Sequence, residues 1–394
     1  MKTVIVRSLG FDVLQYIDDY IEYKEDIKYY DISRLSLRLP FTTAYATLFN
    51  LGEELTGSFN PRMIHLEDED ENCYMVTDLR VVNNGSSKIL EVGASSMIHI
   101  LNFRVMRASV NVEDQDIGML SRQITSNAIG DDSYPERSLG RVVTVIPPNL
   151  GVTGSLSVEI GEKVGDALME FFEQYEYGVR IVPNYSEDRF ELQAYRGADR
   201  TEATSNPKIF SDEAENVSQI SYEQDVNNFA NTALMRVFRD GDQNPANNYD
   251  DILFASSELI DRGGWSRREV FGNGRDISNK FTTFAGTEID LPYSAHAARV
   301  RRAGRSFLDG LTETRNMDAT LSPSENFEFN KDFFVGDRVT MVMFEAGVIS
   351  QARITNATRT INKDGETIRI SVGSKRVSLL KEIKKGLRNL GISR

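Results

Sequence analysis

Acidic side chains are the residues in this sequence whose number and spacing come closest to a chemical site. Five of them stand in one run, Glu67–Glu71, inside a segment of otherwise alternating apolar and polar residues. A second group, from Asp240 to Asp251, has acids spaced as in a calcium-binding loop, but Pro245 stands where that loop requires glycine. We interpret the run as a solvated hairpin loop and the second group as a turn, and assign a metal to neither.

Histidine and cysteine offer no clearer chemistry. His65, His99 and His296 share no metal-ligand spacing, and the single Cys73 cannot form a disulfide within the chain. The sequence has no nucleophile elbow, no phosphate-binding loop and no dinucleotide fingerprint. We therefore predict no cofactor and no enzyme activity. A carboxylate-dependent glycan hydrolase stays open, because 59 acidic residues supply many pairs.

The composition describes a folded chain of several domains. Of the 394 residues 40% are hydrophobic and 26% are charged, and the formal net charge is −14. So acidic a surface disfavours sequence-independent binding to DNA phosphates, although it suits a channel through which DNA slides. The N-terminal segment lacks a secretory signal, so we expect folding in a cytoplasm.

The elements that must position these residues are dominated by one repeated β pattern. Between Phe333 and Lys375 apolar and polar residues alternate through three strands joined by turn residues, which predicts an antiparallel meander. A similar pattern occupies Arg62–Ser96, where Val76-Thr-Asp corresponds to Ile354-Thr-Asn. An internal duplication predicts quasi-symmetry in assembly.

Two pairs of glycines make the duplication testable. Gly85 and Gly365 are each followed eight residues later by another glycine, Gly93 and Gly373. Equal spacing predicts strands of equal length between turns. We therefore expect the first pair to occupy the same hairpin turn and the second pair to close the same strand.

Two helical segments carry the residues that we predict to contact partners. A helix over 294–313 places Val300, Ala303, Phe307 and Leu311 inward, and its arginines outward. The last 19 residues have the 3-4-3 apolar spacing of a short coiled-coil seam. The predicted interface residues are Arg299, Arg302, Arg305, Leu380, Ile383, Leu387 and Leu390.

These patterns predict an α+β, mainly β fold with two similar tube-like β-barrel domains, an α/β domain and a partly helical inserted domain. The predicted divisions are a first barrel over 1–105, an α/β domain over 106–205, a second barrel over 206–238 and 318–375, an inserted domain over 239–317, and an amphipathic helical tail over 376–394.

An ordered set of short motifs gives the chain a family resemblance. The motifs are Gly197-Ala-Asp-Arg-Thr201, Asn206-Pro-Lys-Ile-Phe-Ser211, Asn216-Val217, Asn228–Thr232, Gly336-Asp-Arg-Val339 and Arg353-Ile-Thr355. In this order they resemble the tail hub and tail-associated proteins of long-tailed phages. The resemblance implies a homotrimeric hub that caps the distal end of the tail tube, with two tube-like barrels per subunit in a pseudo-sixfold ring.

We accordingly predict a structural baseplate hub at the virion tail tip, assembled in the host cytoplasm. Its expected partners are tail tube and distal tail proteins and a tip, spike or receptor-binding protein, with DNA passing through the lumen without specific binding. Any wall hydrolase is expected on another polypeptide. Two alternatives remain: a cell-wall or glycan hydrolase of the tail tip, and a carbohydrate-binding receptor-recognition module.

Overall fold

A computed structural model gives the fold of the chain. It describes residues 2–52, 61–69, 71–83, 85, 87–129, 135–227, 229–238, 250–256, 264–274, 277, 280–282, 288–309, 311, 313–322 and 327–373. The chain divides into two compact units. The first comprises residues 1–155, 160–222 and 316–374, and the second comprises 156–159, 223–315 and 375–394.

The elements follow one another in three stretches of the chain. The first 105 residues contain β1 (Val4–Arg7), β2 (Val13–Ile17), β3 (Glu22–Lys28), β4 (Arg34–Pro40), α1 (Thr43–Leu48), β5 (Met63–Leu66), β6 (Tyr74–Asn83) and β7 (Lys88–Ser96). Next come β8 (Val110–Asp116), α2 (Ile117–Thr125), β9 (Val142–Thr144), β10 (Thr153–Val158), α3 (Val164–Glu173), β11 (Gly178–Asn184), β12 (Arg189–Tyr195), β13 (Asp199–Arg200), β14 (Ile209–Ser211) and β15 (Val217–Asp225). The remainder contains β16 (Thr232–Phe238), β17 (Asp250–Ser256), β18 (Glu269–Asn273), β19 (Lys280–Thr282), β20 (Glu288–Asp290), α4 (Tyr293–Asp309), β21 (Thr314–Leu321), β22 (Arg338–Met343), β23 (Val348–Asn362) and β24 (Gly365–Gly373). Short 3₁₀ helices lie at Met97–Phe103, Pro135–Arg137 and Gly264–Ser266.

A 14-stranded sheet organises the first unit. Its main path runs β15-β21-β24-β23-β3-β4-β7-β6-β5-β1-β2, with β22 beside β23 and with β13 and β14 beside β22. Each half of the path covers its own core of buried apolar side chains, centred on Leu37 and Val92 in one half and on Ala319 and Ile370 in the other. The mainly β fold class is thereby confirmed, while closure into barrels stays a prediction.

The sheet contains one strand pattern twice. Five strands that follow one another in the chain, β3 to β7, are arranged in the sheet in the order β3-β4-β7-β6-β5. A second set of five strands, β15 and β21 to β24, is arranged in the equivalent order β15-β21-β24-β23-β22. Both long hairpins also carry a bulge at the same place, at Thr77 between Val76 and Asp78, and at Thr355 between Ile354 and Asn356. The similarity read from the sequence is therefore a similarity of topology. We call β3–β7 repeat 1, and β15 with β21–β24 repeat 2.

The glycine pairs fit this pattern less well than their spacing predicted. Gly85 lies in the loop of the β6–β7 hairpin, whereas Gly365 is the first residue of β24 and pairs with Asn362. Gly373 ends β24, but Gly93 lies inside β7. The prediction that both glycines close the same strand is wrong, because Gly85 precedes β7 by three positions whereas Gly365 begins β24, so equal spacing reaches different points of two strands of 9 residues. Gly93 is opposite Asp78. A Cβ added at residue 93 would lie 2.2 Å from Oδ2 of the Asp78 carboxylate.

The second unit holds a separate small core. Strands β17, β16 and β18 form a three-stranded sheet, and α4 buries Val300, Phe307 and Leu308 against residues that include Met235 and Val237. The sequence had assigned Thr232–Phe238 to the second barrel, but the structure pairs it in this sheet. Within the described residues, none of the helices has the length and apolarity of a membrane span.

Candidate functional site

The joint between the two repeats is the first candidate site. Strand β23 is fifteen residues long and serves two neighbours: Val348–Arg353 pairs with β22, and Asn356–Asn362 pairs antiparallel with β3. The bulge at Thr355 separates the two halves and redirects the second half. We call the β3–β23 pairing the internal junction. Its seven residue pairs make one continuous sheet from two repeats.

A buried arginine lies at the centre of the internal junction. Arg359 is 0% exposed and faces Glu25, its cross-strand partner, which is also 0% exposed. Its Nη1 lies 3.2 Å from Glu25 Oε1 and 2.6 Å from Glu69 Oε2, its Nη2 lies 2.9 Å from Glu69 Oε1, and its Nε lies 2.5 Å from Glu366 Oε1. One guanidinium therefore joins three carboxylates from separate parts of the chain. Such a network is stable only while every member is paired.

Other side chains complete the hydrogen bonding of this cluster. Tyr23 and Tyr74 each donate from the hydroxyl to Glu25 Oε2 at 3.1 Å. Lys2 Nζ donates to Glu69 Oε1 at 3.0 Å, and Asn330 Nδ2 donates to Glu69 Oε2 at 2.8 Å. We call Arg359, Glu25, Glu69 and Glu366, with these donors, the arginine cluster.

Burial and charge act in opposite directions on the carboxyl groups of the arginine cluster. Desolvation raises the pKa of Glu25 above its usual value, against the lowering effect of the Arg359 charge. Desolvation opposes ionisation of Glu69 as well, but hydrogen bonds from Arg359 and its charge prevail and lower the pKa of Glu69 to about 2. Glu69 belongs to the acidic run that the sequence assigned to a solvated loop. That interpretation is wrong for Glu69, whose partners Arg359, Asn330 and Lys2 are 290, 261 and 67 residues away.

Three of the family motifs quoted above, Gly197–Thr201, Gly336–Val339 and Arg353–Thr355, meet in a second cluster in the first unit. The Asp337 carboxylate accepts hydrogen bonds from Arg200 Nε and from the Ala198 backbone, both at 2.7 Å. Arg353 donates to the Gly336 carbonyl and lies 3.3 Å from Glu176. A Cβ on Gly197 would fall 2.0 Å from the Gly336 carbonyl oxygen. These three motifs therefore fix backbone approach and strand pairing.

In repeat 1 the strand that corresponds to β23 is β6, but within the described residues it lacks a neighbour equivalent to β3. Strand β6 pairs with β5 only at Tyr74 and Met75, and it pairs with β7 along its whole length. The segment Asp78–Asn83, which we call the outer half of β6, corresponds to the part of β23 that binds β3. Among the described residues no strand pairs with the side of it that faces away from β7. Its Val81 is 42% exposed.

The predicted arginine face lies on α4 in the second unit. Arg299, Arg301, Arg302 and Arg305 are all exposed, while Val300 and Phe307 are buried, as the helical spacing predicted. Like charges three and four residues apart on a helix repel one another. The other predicted interface residues, Leu380, Ile383, Leu387 and Leu390, lie outside the described residues. Whether either set binds a partner stays a prediction.

A cleft of about 640 Å³ lies in the first unit beside both clusters. The charged side chains that line it include Arg180 with Glu71 and Arg200 with Asp337, which pair with each other at 2.5 Å and 2.7 Å. The described residues contain no group of three or more side chains placed to hold a metal ion.

Comparison with known proteins decides the family. The family model described as "Siphovirus ReqiPepy6 Gp37-like protein" matches residues 3–374. The chain belongs to this siphovirus Gp37-like family. The resemblance to phage tail proteins that the motifs suggested is thereby confirmed. No curated protein sequence matches the chain.

Solved structures show the same fold in phage tail proteins. The tail protein from Neisseria meningitidis MC58 matches with a TM-score of 0.55 and 12% identity over 96% of this Gp37-like chain and 98% of its own. The 43 kDa tail protein of prophage MuSo2 from Shewanella oneidensis matches with a TM-score of 0.53 and 11% identity, covering 97% and 100%. Prophage tail protein gp18 from Listeria monocytogenes EGD-e matches with 0.51 and 12%, covering 98% and 99%. At these identities the likeness concerns the fold.

Proposed function

We propose that this Gp37-like protein is a structural, non-enzymatic subunit of the siphovirus tail tip. Three copies form a hub ring at the distal end of the tail tube, and the ring connects the tube to the tip or receptor-binding apparatus. The observation that carries the proposal is the repeated strand order: repeat 1 and repeat 2 lie in one sheet of one chain. Three chains then offer six similar units to a sixfold tube and a threefold surface to a spike or fibre.

In this proposal the two repeats are the cores of the two tube-like barrel domains. The predicted α/β domain, which contains α2, α3 and the β11–β12–β9 sheet, and the inserted second unit differ between the two halves of the chain. In this proposal they serve as braces and partner surfaces. The acidic composition of the chain limits friction on DNA that passes through the lumen.

Partner proteins bind at two sets of residues in this proposal. The arginine face of α4 binds an acidic surface on a neighbouring tail protein, because its charge opposes the net charge of −14. The C-terminal segment with Leu380, Ile383, Leu387 and Leu390 packs against its own copies or against a tip protein.

Mass and shape of the purified full-length protein test the proposal. We expect a species of three times the 44.4 kDa chain mass by sedimentation, and rings with a central channel by negative-stain electron microscopy. A protein that stays monomeric at every concentration contradicts the ring. Clearing of cell-wall substrate in a zymogram, retained after removal of residues 376–394, contradicts the non-enzymatic role.

A further inference from the structure

The internal junction provides a template for a contact between copies. In the internal junction, the first strand of repeat 1 (β3) pairs with the second half of the fourth strand of repeat 2 (β23). By the shared strand order, the corresponding strands are β15, the first of repeat 2, and β6, the fourth of repeat 1. The Thr77 and Thr355 bulges place the outer half of β6 in correspondence with the β3-binding half of β23.

Both corresponding edges are open within the described residues. Strand β15 ends the sheet path, with only β21 as its neighbour, and the outer half of β6 has only β7. The N–H of Ser322 donates to the Asn216 carbonyl, and Gln224 binds Glu313, so β15 runs antiparallel to β21, as β3 does to β4. The two edges therefore have the strand directions that the internal junction requires.

One chain does not pair these two edges with each other. Strands β15 and β6 are seven steps apart along the sheet, which is about 34 Å at the usual strand spacing. A second copy can place its β15 beside β6 without moving any strand of the first copy. The contact is heterologous, so it repeats from copy to copy; it forms the proposed ring when the rotation between successive copies closes after three subunits.

The side chains on the open edges differ from those of the internal junction in a way that suits association. The position that corresponds to Arg359 is Val81, with Leu79 beside it on the same face of β6. On β15 the partly buried residues are Ile220 and Tyr222. An edge that separates and joins in water is better served by apolar side chains than by a charge that requires three carboxylates.

We propose that β15 of one copy pairs antiparallel with the outer half of β6 in the next copy, as an intermolecular version of the internal junction. Val81 and Leu79 pack there against Ile220 and Tyr222 of the neighbouring copy. This inference rests on the proposed hub ring and names the edges that close it. Internal and intermolecular junctions then alternate around the ring.

Cysteine cross-linking in the full-length protein tests the pairing. In a Cys73→Ala background, Arg80→Cys is combined with Gln219→Cys or with Ser221→Cys, because these exposed residues lie on the solvent face of the two strands. Under mild oxidation we expect disulfide-linked dimers and trimers on non-reducing gels for at least one pair. The three single-cysteine variants are the controls and give no trimer.

A substitution on the core face provides the second measurement. Val81→Asp is expected to raise the concentration for half-assembly at least about tenfold, with an unchanged melting temperature of the separated chain. Ile349→Asp, at a strand position of β23 that is 65% exposed against 42% for Val81, is the control and leaves assembly unchanged, because Ile349 lies outside the proposed contact.

The outcomes separate this inference from the proposed function. Rings that form without cross-links and persist in Val81→Asp overturn the edge pairing and leave the hub intact. Absence of rings in the unmodified protein overturns the hub and the pairing together. Cross-linked trimers with weakened assembly of Val81→Asp support both.

Discussion

The internal junction and the outer half of β6 are equivalent positions in the two repeats, yet one has a buried charged side chain where the other has an exposed apolar one. At the internal junction, Arg359 is fully buried among carboxylates; at the outer half of β6, the corresponding Val81 is 42% exposed and has no charged partner to satisfy. The internal junction tolerates a buried charge because the carboxylates that pair with it belong to the same chain and are brought together when the chain folds. A joint that forms between molecules must expose its side chains to water first, and a lone exposed valine costs little there.

The largest expected effect comes from removing the arginine of the internal junction. Arg359→Ala leaves Glu25 buried and uncompensated, so we expect the free energy of unfolding of the first unit to fall by about 3–5 kcal/mol. Urea denaturation measures the loss. Arg369→Ala is the matched control, since Arg369 is 59% exposed and pairs with Asp318 on the surface, and it should change stability by less than about 0.5 kcal/mol. Equal effects of the two variants would remove the distinction between the junctions.

The sequence contains one hint of the arginine cluster and lacks the rest. In the alternation of β23, Arg359 shares a face with Ala357 and Ile361, both buried, so a charged residue in a core register was visible without the structure. Two of its three carboxylate partners were not, because Glu69 and Glu25 are 290 and 334 residues away, whereas Glu366 is 7 residues away on the next strand. No local pattern links such positions. An acidic run also looks solvated in any window that omits its distant cation.

Elements with strong local periodicity were predicted well, because their apolar spacing depends on neighbouring residues and not on distant partners. The meander over β22, β23 and β24 and the buried stripe of α4 follow from spacing alone. The assignment of Thr232–Phe238 failed because a strand pattern does not name its partner strand, and β16 pairs within the second unit. The glycine spacing failed because Gly85 precedes the first residue of β7 by three positions, whereas Gly365 is the first residue of β24, and the spacing alone does not show where a hairpin loop ends.

Acid titration is the next test of the internal junction. The pKa of Glu69 in the folded protein is about 2, below its usual value, so its stabilising contribution is present above about pH 4.5 and is lost as the pH falls toward 2. The loss amounts to about 2–3 kcal/mol. Glu25 acts in the opposite sense, since its raised pKa makes protonation favourable to the folded state as the pH falls.

Melting temperatures of Glu69→Gln and wild type between pH 7 and pH 2.5 separate these contributions. Glu69→Gln should be less stable at neutral pH and should lose less stability than wild type below pH 4.5. Glu67→Gln, in the same loop but exposed, is the control and should follow the wild-type curve. A Glu69→Gln curve parallel to wild type would place the acid sensitivity elsewhere.

A smaller effect is expected where the hairpins differ beside their bulges. Gly93 is opposite Asp78, and the corresponding position in repeat 2 is Ser371, opposite Asn356. A Cβ at residue 93 meets the Asp78 carboxylate, so Gly93→Ala forces that side chain away and should cost about 1–2 kcal/mol. Ser371→Ala should be close to neutral. Thermal unfolding measures both, and Asp78→Ala added to Gly93→Ala should recover most of the loss.

The smallest effect on stability, and the one of opposite sign, concerns the arginine face. Arg301 and Arg305 are four residues apart on α4 and both exposed, so replacing Arg305 by Glu turns a repulsive pair into an attractive one. The second unit should gain about 0.2–0.5 kcal/mol, and ring formation should not change, because the strand edges lie in the first unit. Binding to an acidic tail protein should weaken at the same time, measured by co-sedimentation with purified distal tail proteins at 50 mM and 300 mM salt. A variant that gains stability, assembles normally and still binds would show that the arginines form a solvent-exposed helix face and that partners bind elsewhere. A variant that no longer assembles would mean that α4, and not the open strand edges, holds the copies together.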